Sequence, residues 1–196
     1  MRLVLDSDVL VHALRIPRNK ELLEIHEKAS AIFESCILKT NDLFLPSEIP
    51  IEVGAVLSKI IPQELAREGI EKLLLTAEEI YPFTSDALLN SIYSISSNIY
   101  FREALENALM FTKIKKNEDD RNVPGWKDSK TEAMIGGMDV LVLTYAQLKN
   151  CILVTNDWSL WYVARRTGIT SCWLSGLTDE MVSEIADGGM IDLAIK

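Results

Sequence analysis

Short apolar runs alternate along the chain with longer stretches in which apolar residues recur at helical spacing. The runs at 3–5, 43–45 and 151–155 are almost wholly apolar and are bounded by polar residues, which is typical of buried strands. The stretches 21–38 and 138–148 carry apolar residues three and four positions apart, which predicts amphipathic helices. Because strands alternate with helices, the pattern predicts an α/β fold with a parallel sheet flanked by helices on both faces.

Turn residues and weaker periodicity place the remaining elements. Helices are predicted at 47–60, from 62 onward, at 84–97, 101–113 and 157–167, and strands at 79–83 and 169–174. Residues 115–130 are charged and contain Pro124 and Gly125, so this segment is predicted to be a long loop. With the helix before it, the loop forms an insertion at 98–133 in a single domain that spans residues 1–196.

Two of the predicted strands end in acids. Asp6 directly follows the run at 3–5, and Asp157 comes two residues after the run at 151–155. In an open α/β sheet, ligands bind at the carboxyl ends of the strands. A carboxylate among apolar neighbours is costly to desolvate unless something binds it. Asp6 and Asp157 are therefore predicted to belong to a site at this edge of the sheet.

Two further acids stand almost alone in apolar helical segments, Glu52 within 49–57 and Asp139 within 137–143. Each acid has a structural alternative: Asp6, Asp139 and Asp157 as helix caps or helix-start acids, and Glu52 as a solvent-exposed position. Four carboxylates that converge would repel one another, and a hard cation such as Mg²⁺ or Mn²⁺ would relieve that repulsion. We therefore expect these acids to bind a divalent metal.

These residues resemble the motifs of the PIN domain family, and especially of the VapC-type toxin ribonucleases. The acids come in the family's order: Asp6 followed by Ser7, Glu52 on the helix after the second strand, Asp139 opening an apolar helix, and Asp157 in a Thr-x-Asp sequence. The resemblance implies a PIN-like fold and metal-dependent cleavage of RNA phosphodiester bonds. It also implies that these four acids are the catalytic and metal-binding residues, with Mg²⁺ or Mn²⁺ as cofactor.

Neighbouring residues are expected to orient those carboxylates from behind: Ser7, Asp8, Thr155 and Asn156. Asp8 departs from the family, which more often has Asn or Ser there, so it is either an additional acid of the site or a helix cap. The spacing between Glu52 and Asp139 also exceeds that of compact toxins, because the insertion lies between them. This departure bears on the toxin role more than on nuclease activity.

The resemblance further implies an RNA substrate, an antitoxin protein as partner, and a homodimer. Arg15, Arg18 and Lys20, after the first strand, are candidates for binding RNA, and their alternative is a solvated surface. The net charge of −9 argues against a large nucleic-acid-binding face. Acids that hold a divalent cation would reverse the local field, however, so RNA is not excluded. The aromatic residues crowded into 158–173 are either core or part of a dimer interface.

Other enzyme and binding classes share part of this pattern. Residues 6–8 resemble the Asp-x-Asp nucleophile motif of haloacid-dehalogenase-like phosphatases, and 153–155 resemble their second motif. That family also needs a Lys followed by a pair of acids, and no convincing arrangement of this kind follows Thr155. A phosphatase of this class would become phosphorylated on Asp6. The remaining alternative is a non-catalytic PIN-like module that binds RNA or a protein, which would not need all four acids.

Composition narrows the other classes. No apolar run reaches 18 residues, so no membrane span is expected. The N-terminus lacks the apolar stretch of a signal peptide, and a cytoplasmic protein is therefore expected. The chain has 3 cysteines and 2 histidines. They show no paired zinc-ligand spacing, so the cysteines are predicted to be buried, reduced thiols.

Overall fold

A five-stranded parallel sheet forms the centre of the computed structural model, which describes residues 1–17, 19–81, 99–127 and 131–189. The strands are numbered in chain order: β1 Arg2–Leu5, β2 Asp42–Pro46, β3 Ala77–Tyr81, β4 Lys113–Lys115, β5 Glu132–Met134, β6 Ile152–Thr155 and β7 Ser171–Trp173. The central sheet has the order β3-β2-β1-β6-β7. Its parallel pairing confirms the α/β prediction.

Eight α-helices in the described residues accompany these strands: α1 Ser7–Leu14, α2 Leu23–Ile37, α3 Glu48–Ile60, α4 Gln63–Thr76, α5 Ile99–Phe111, α6 Gly137–Lys149, α7 Trp158–Arg166 and α8 Asp179–Ala186. The sequence pattern did not predict α1 or α8, both of which are only eight residues long. Gly168 ends α7 with φ +78°, as expected for a glycine after a helix C-cap. The predicted helix at 84–97 lies outside the described residues.

The apolar strand runs are buried on both sides of the sheet. Successive strand residues point to opposite faces, and Leu3, Val4 and Leu5 of β1 are all 0% exposed. Leu153 and Val154 of β6 are buried to the same degree. Helices therefore cover both faces, as the continuous apolar runs predict for a parallel sheet.

The predicted loop at 115–130 is bounded by a two-stranded antiparallel sheet, β4 and β5, that the sequence pattern did not predict. β4 pairs antiparallel with β5, supported by an ion pair of 2.9 Å between Lys113 and Glu132. Residues 128–130 lie outside the described part of the chain. The loop was predicted because this segment is polar and contains Pro and Gly, whereas the contacts that order it come from residues far away in sequence.

An aromatic cluster joins the insertion to α7. It consists of Trp126, Trp158 and Tyr162, with Lys116 lying over both indole rings at 4.4 and 4.5 Å from the ring centroids. Trp158 stacks on Tyr162 with centroids 5.0 Å apart, and Trp126 meets both rings edge-on. The Tyr162 hydroxyl accepts the N–H of Asn117 at 3.0 Å. Aromatic and cation–π contacts contribute stabilising free energy beyond that of the apolar area they bury. The cluster therefore holds the insertion against α7.

The remaining aromatic residues and the cysteines belong mainly to the core. Trp161 and Tyr162 are buried, which confirms the core alternative for these two. All three cysteines are buried free thiols, and burial raises their pKa values to about 12, 11 and 12 in chain order. None of the helices described here is both long enough and apolar enough to cross a membrane.

Replacing Gly125 by Ala should weaken the attachment of the insertion. Gly125 has φ +75°, and an added Cβ would lie 2.6 Å from Cδ1 of Trp158 and 2.7 Å from Cη2 of Trp173. We expect a loss of about 1–3 kcal/mol in the free energy of unfolding, from backbone strain and overpacking. The measurement is chemical denaturation monitored by tryptophan fluorescence. Gly137→Ala is the control, because nothing lies within 4 Å of its added Cβ. Equal stability of both variants would contradict the packing described here.

Candidate active site

The carboxyl ends of β1 and β6 lie side by side. Leu5 is in register with Val154, and the N–H of Asp6 donates to the carbonyl oxygen of Val154 at 3.0 Å. From β1 the chain runs to β2 on one side, whereas β6 lies on the other side, so the strand order reverses between β1 and β6. Ligands of open α/β sheets bind at such a point. Asp6 and Asp157 follow these two strand ends directly.

Thr155 links Asp6 to Asp157. Its hydroxyl donates to Oδ2 of Asp6 at 2.8 Å and accepts the backbone N–H of Asp157 at 3.0 Å. The other oxygen of Asp6, Oδ1, accepts the N–H of Ser7 at 2.8 Å, so Asp6 also caps α1. Thr155 is fully buried and Asp6 is 6% exposed. The hydroxyl therefore fixes the position of both acids, and the contribution that Ser7 makes comes from its backbone.

Asp8 belongs to the same group of acids. Its Oδ1 accepts the backbone N–H of Asn156 at 3.3 Å, which ties the first turn of α1 to the residue before Asp157. The side-chain oxygen of Asn156 in turn accepts the N–H of Ser175 at 3.2 Å and the Ser175 hydroxyl. Asn156 thus anchors the loop after β6 from two directions. Of the two alternatives for Asp8, the geometry favours an additional acid beside the site.

Asp139 and Asp157 occupy helix starts, as their structural alternatives proposed. Asp139 lies in the first turn of α6, and its Oδ2 accepts the N–H of Gly136 at 2.7 Å. Asp157 is the exposed N-cap of α7, and its Oδ1 accepts the N–H groups of Ser159 and Leu160 at 2.6 and 3.2 Å. A cap and a ligand are compatible roles, because each of these bonds uses one carboxylate oxygen. Glu52 is half-buried on α3.

Burial, followed by the charges of neighbouring acids, raises the pKa values of Asp6 and Asp8. The pKa of Asp6 is raised to about 8, first by burial and then by the charge of Asp8, against the hydrogen bonds from Thr155 and Ser7. Burial is also the main cause that raises the pKa of Asp8 to about 6, and the charges of Asp157 and Asp139 add to it.

Asp139 connects the group to Glu52. Its pKa is raised by burial, lowered by the bond from Gly136, and raised again by the charges of Asp157 and Glu52. We call the five residues Asp6, Asp8, Glu52, Asp139 and Asp157 the acidic site. Glu52 is included because its charge raises the pKa of Asp139.

The carboxylate oxygens of the acidic site are suitable ligands for a hard divalent cation. Carboxylate oxygens are the ligands that Mg²⁺ and Mn²⁺ prefer, and a cation would relieve the repulsion that raises these pKa values. In the residues described, no three His, Cys, Asp or Glu side chains converge closely enough to share an ion as they stand. Joint coordination therefore requires some of these side chains to rotate towards one another.

The cations proposed to bind RNA are less well placed. Arg15 caps the C-terminal end of α1, about 13.5 Å along the helix axis from Asp6. Lys20 is exposed on the single turn Lys20–Leu22, beyond the end of α1. Arg18 lies outside the described residues. RNA binding by these three side chains stays a prediction, and the positions of Arg15 and Lys20 lend it no support.

Sequence reasoning missed the aromatic cluster beside the acidic site. Trp158 directly follows Asp157, and its indole N–H donates to the carbonyl oxygen of Pro124 at 2.8 Å. The insertion therefore reaches the residue next to a proposed ligand. The isolated Trp126 in a charged segment was the available signal, because a large apolar side chain in polar surroundings needs a distant partner.

Comparisons with known proteins find likeness in fold. No protein-family model matches the sequence, and no similar curated protein is found. Among solved structures, VapBC2 from Rickettsia felis, solved bound to a promoter DNA fragment, matches with a TM-score of 0.47 at 17% identity, over 88% of this chain and 98% of that chain. FitAcB from Neisseria gonorrhoeae matches with a TM-score of 0.49 at 17% identity, over 89% of this chain and 99% of that chain. Function rests on the acidic site, since likeness at this level says nothing of activity.

The raised pKa of Asp6 should make the metal-free protein lose stability as the pH rises. The pKa of an aspartate in the unfolded chain is about 3.9. In the folded protein the pKa of Asp6 is raised to about 8, so Asp6 keeps its proton up to that pH. The stabilisation from protonated Asp6 is therefore full below the unfolded pKa and is lost as the pH rises through the folded one. Asp6→Asn removes this dependence.

We expect Asp6→Asn to raise the melting temperature in EDTA by about 2–6 °C at pH 8 and by less at pH 5. Differential scanning calorimetry at both pH values measures this. Glu34→Gln, which neutralises an exposed acid on α2, is the control and should change little. An Asp6→Asn shift that is equal at both pH values, or negative at pH 8, would show that the buried charge does not govern stability.

Proposed function

We propose that the protein is a metal-dependent endoribonuclease that hydrolyses RNA phosphodiester bonds with Mg²⁺ or Mn²⁺. The observation that carries the proposal is the acidic site itself. Asp6 and Asp157 follow the two strand ends where the strand order reverses, and the charges of nearby acids add to burial in raising the pKa values of Asp6, Asp8 and Asp139. Such a group is unfavourable without a cation and favourable with one. The order of the acids resembles that of PIN domains.

Each acid has a part in the proposed mechanism. Asp6, Asp139 and Asp157 hold the cation, and Glu52 acts as an outer ligand or positions water. When bound, the cation supplies positive charge for the phosphate oxygens and lowers the pKa of a water molecule. The Thr155 hydroxyl holds Asp6 in place and accepts the N–H of Asp157, so two of the ligands keep a fixed separation.

The geometry of Asp6 speaks against the phosphatase alternative. A nucleophilic aspartate has to reach phosphorus in line with one of its oxygens, whereas Asp6 is only 6% exposed. A ligand at the edge of a cation needs less access than a nucleophile. The non-catalytic alternative does not explain why acids that repel one another are placed together, because binding of RNA or a protein does not require them.

We further propose an antitoxin protein as partner, from the resemblance to VapC-type toxins, and a homodimer. Exposed apolar side chains on α5 support the dimer: Leu105, Leu109 and Met110 are 54, 80 and 57% exposed. Leu105 and Leu109 are four positions apart and share one helix face. Two copies would bring together more Lys and Arg than one acidic chain offers to RNA.

Asp139→Asn should abolish RNA cleavage in Mn²⁺ and leave the fold intact. Asn keeps the shape of the side chain and the bond from Gly136 but loses the charge that holds the cation. We expect a fall of at least about 100-fold in the cleavage rate of a labelled single-stranded RNA, with an unchanged circular dichroism spectrum. Glu34→Gln, on the exposed face of α2, should cleave as the wild type does.

Full activity of Asp139→Asn would reject the metal site. Wild-type protein that binds RNA and never cleaves it in Mn²⁺ or Mg²⁺ would favour the non-catalytic module. Accumulation of a phosphorylated Asp6 with a trapping agent would favour the phosphatase.

Light scattering at micromolar concentration tests the homodimer. The chain has a mass of 22.0 kDa, and we expect twice that value. Leu109→Glu should shift the mass towards the monomer, because a charge would be buried in an apolar contact. Leu75→Glu is the control, since Leu75 is 83% exposed on α4. A monomeric wild-type protein would reject the dimer.

A further inference from the structure

A cavity of about 300 Å³ opens beside β7, at the edge of the sheet and next to the acidic site. Its size is at the lower end of the range for sites that bind small molecules. The lining residues that matter for binding are Trp161, Trp173, Arg165, Thr170 and Ser171. None of the residues proposed above to bind the metal or to cleave RNA lines the cavity, so the cavity needs a separate explanation.

Two indole rings form an aromatic wall of the cavity. The ring centroids of Trp161 and Trp173 are 6.0 Å apart, and the planes are tilted by 30°. Trp161 is almost fully buried, whereas Trp173 is partly buried and lines the cavity. Surfaces of this kind stack against planar groups, and nucleobases are bound in this way whatever their sequence.

The exposed edge of β7 supplies hydrogen-bonding groups. The carbonyl oxygen of Thr170 accepts the N–H of Leu153, so the backbone of Thr170 points towards β6. Backbone groups alternate in direction along a strand, and those of Ser171 therefore point to the open edge. In the residues described, β7 pairs with β6 alone. A donor and an acceptor are thus available to the polar edge of a base.

The charge around the cavity suits a phosphate. Arg165 is the charged residue among those that line it, and its guanidinium lies 5.9 Å from the centroid of the Trp161 ring. The neighbouring Arg166 pairs with Asp120 at 3.5 Å, which leaves that acid partly neutralised. The chain has a net charge of −9, so an arginine beside the aromatic wall makes this part of the surface locally favourable for an anion.

The cavity is connected directly to the acidic site. The indole N–H of Trp173 donates to the carbonyl oxygen of Asn156 at 3.1 Å. The N–H of the same Asn156 donates to Asp8, and the next residue is Asp157. One residue therefore contacts both the aromatic wall and the acids, so a nucleotide in the cavity would be close to a phosphate at the acidic site.

We propose that this cavity binds one nucleotide of a single-stranded RNA substrate, with its base against Trp173 and its phosphate facing Arg165. The proposal deepens the ribonuclease function and rests on it for the identity of the substrate. The cavity selects single-stranded RNA over duplex, because a paired base cannot enter it.

The test measures RNA binding without cleavage. The fluorescence anisotropy of a labelled pentaribonucleotide is titrated with the full-length protein in EDTA, and uridine monophosphate and uridine are added as competitors. We expect Trp173→Leu and Arg165→Gln to weaken binding about tenfold or more, as loss of one stacking or phosphate contact does. The monophosphate should compete better than uridine with the wild type, and this difference should vanish in Arg165→Gln.

Arg102→Gln is the matched control, because it removes an exposed arginine from α5, which contributes no residue to the cavity. Arg165→Gln keeps the test valid if Trp173→Leu fails to fold. Unchanged binding by Arg165→Gln and by folded Trp173→Leu would overturn the proposal. So would competition by free monophosphate without binding of the pentaribonucleotide, which indicates a free-nucleotide site, or displacement by an acidic peptide alone, which indicates a peptide site.

The outcome is independent of the nuclease proposal. Binding that depends on Trp173 and Arg165, with no cleavage in Mn²⁺, would reject the nuclease and keep the nucleotide site. Cleavage in Mn²⁺ with unchanged binding by both variants would reject the nucleotide site and keep the nuclease.

Discussion

A buried carboxylate between two parallel strands is the constraint on which the site depends. Asp6 follows β1 at the point where the strand order reverses, and burial raises its pKa to about 8. The Thr155 hydroxyl and the Ser7 N–H offset part of the cost of ionising it. The neighbouring acids increase that cost. Folding therefore brings together charges that stabilise the protein only when something positive binds among them.

The packing around the acids holds this arrangement in place. Asn156 fixes the loop after β6, because it accepts hydrogen bonds from Ser175 and Trp173 and donates one to Asp8. Trp126 and Lys116 pack against Trp158 and so fix the insertion. Both sets of contacts surround Asp157 at the start of α7. The insertion, which separates Glu52 from Asp139 in sequence, thus contributes a wall beside the site.

The sequence predicted the parts of this account that depend on local patterns. Continuous apolar runs predicted β1 and β6 as buried parallel strands, and acids at their ends predicted where Asp6 and Asp157 lie. The insertion could not be predicted in the same way, because Trp126 is ordered by Trp158 and Tyr162, over thirty residues away. The place of Asp8 depends on the side-by-side ends of β1 and β6, so its closeness to Asp157 follows from tertiary structure alone. The local pattern also did not predict α1, at whose C-terminal end Arg15 lies.

We propose that the acidic site binds a divalent cation. Calorimetric titration of the metal-free protein with Mn²⁺ tests this without any RNA. We expect saturable binding by the wild type and by Glu34→Gln, and binding weakened by about tenfold or more in Asp6→Asn and Asp139→Asn. Absence of Mn²⁺ binding by the wild type, or equal binding by all four proteins, would contradict it.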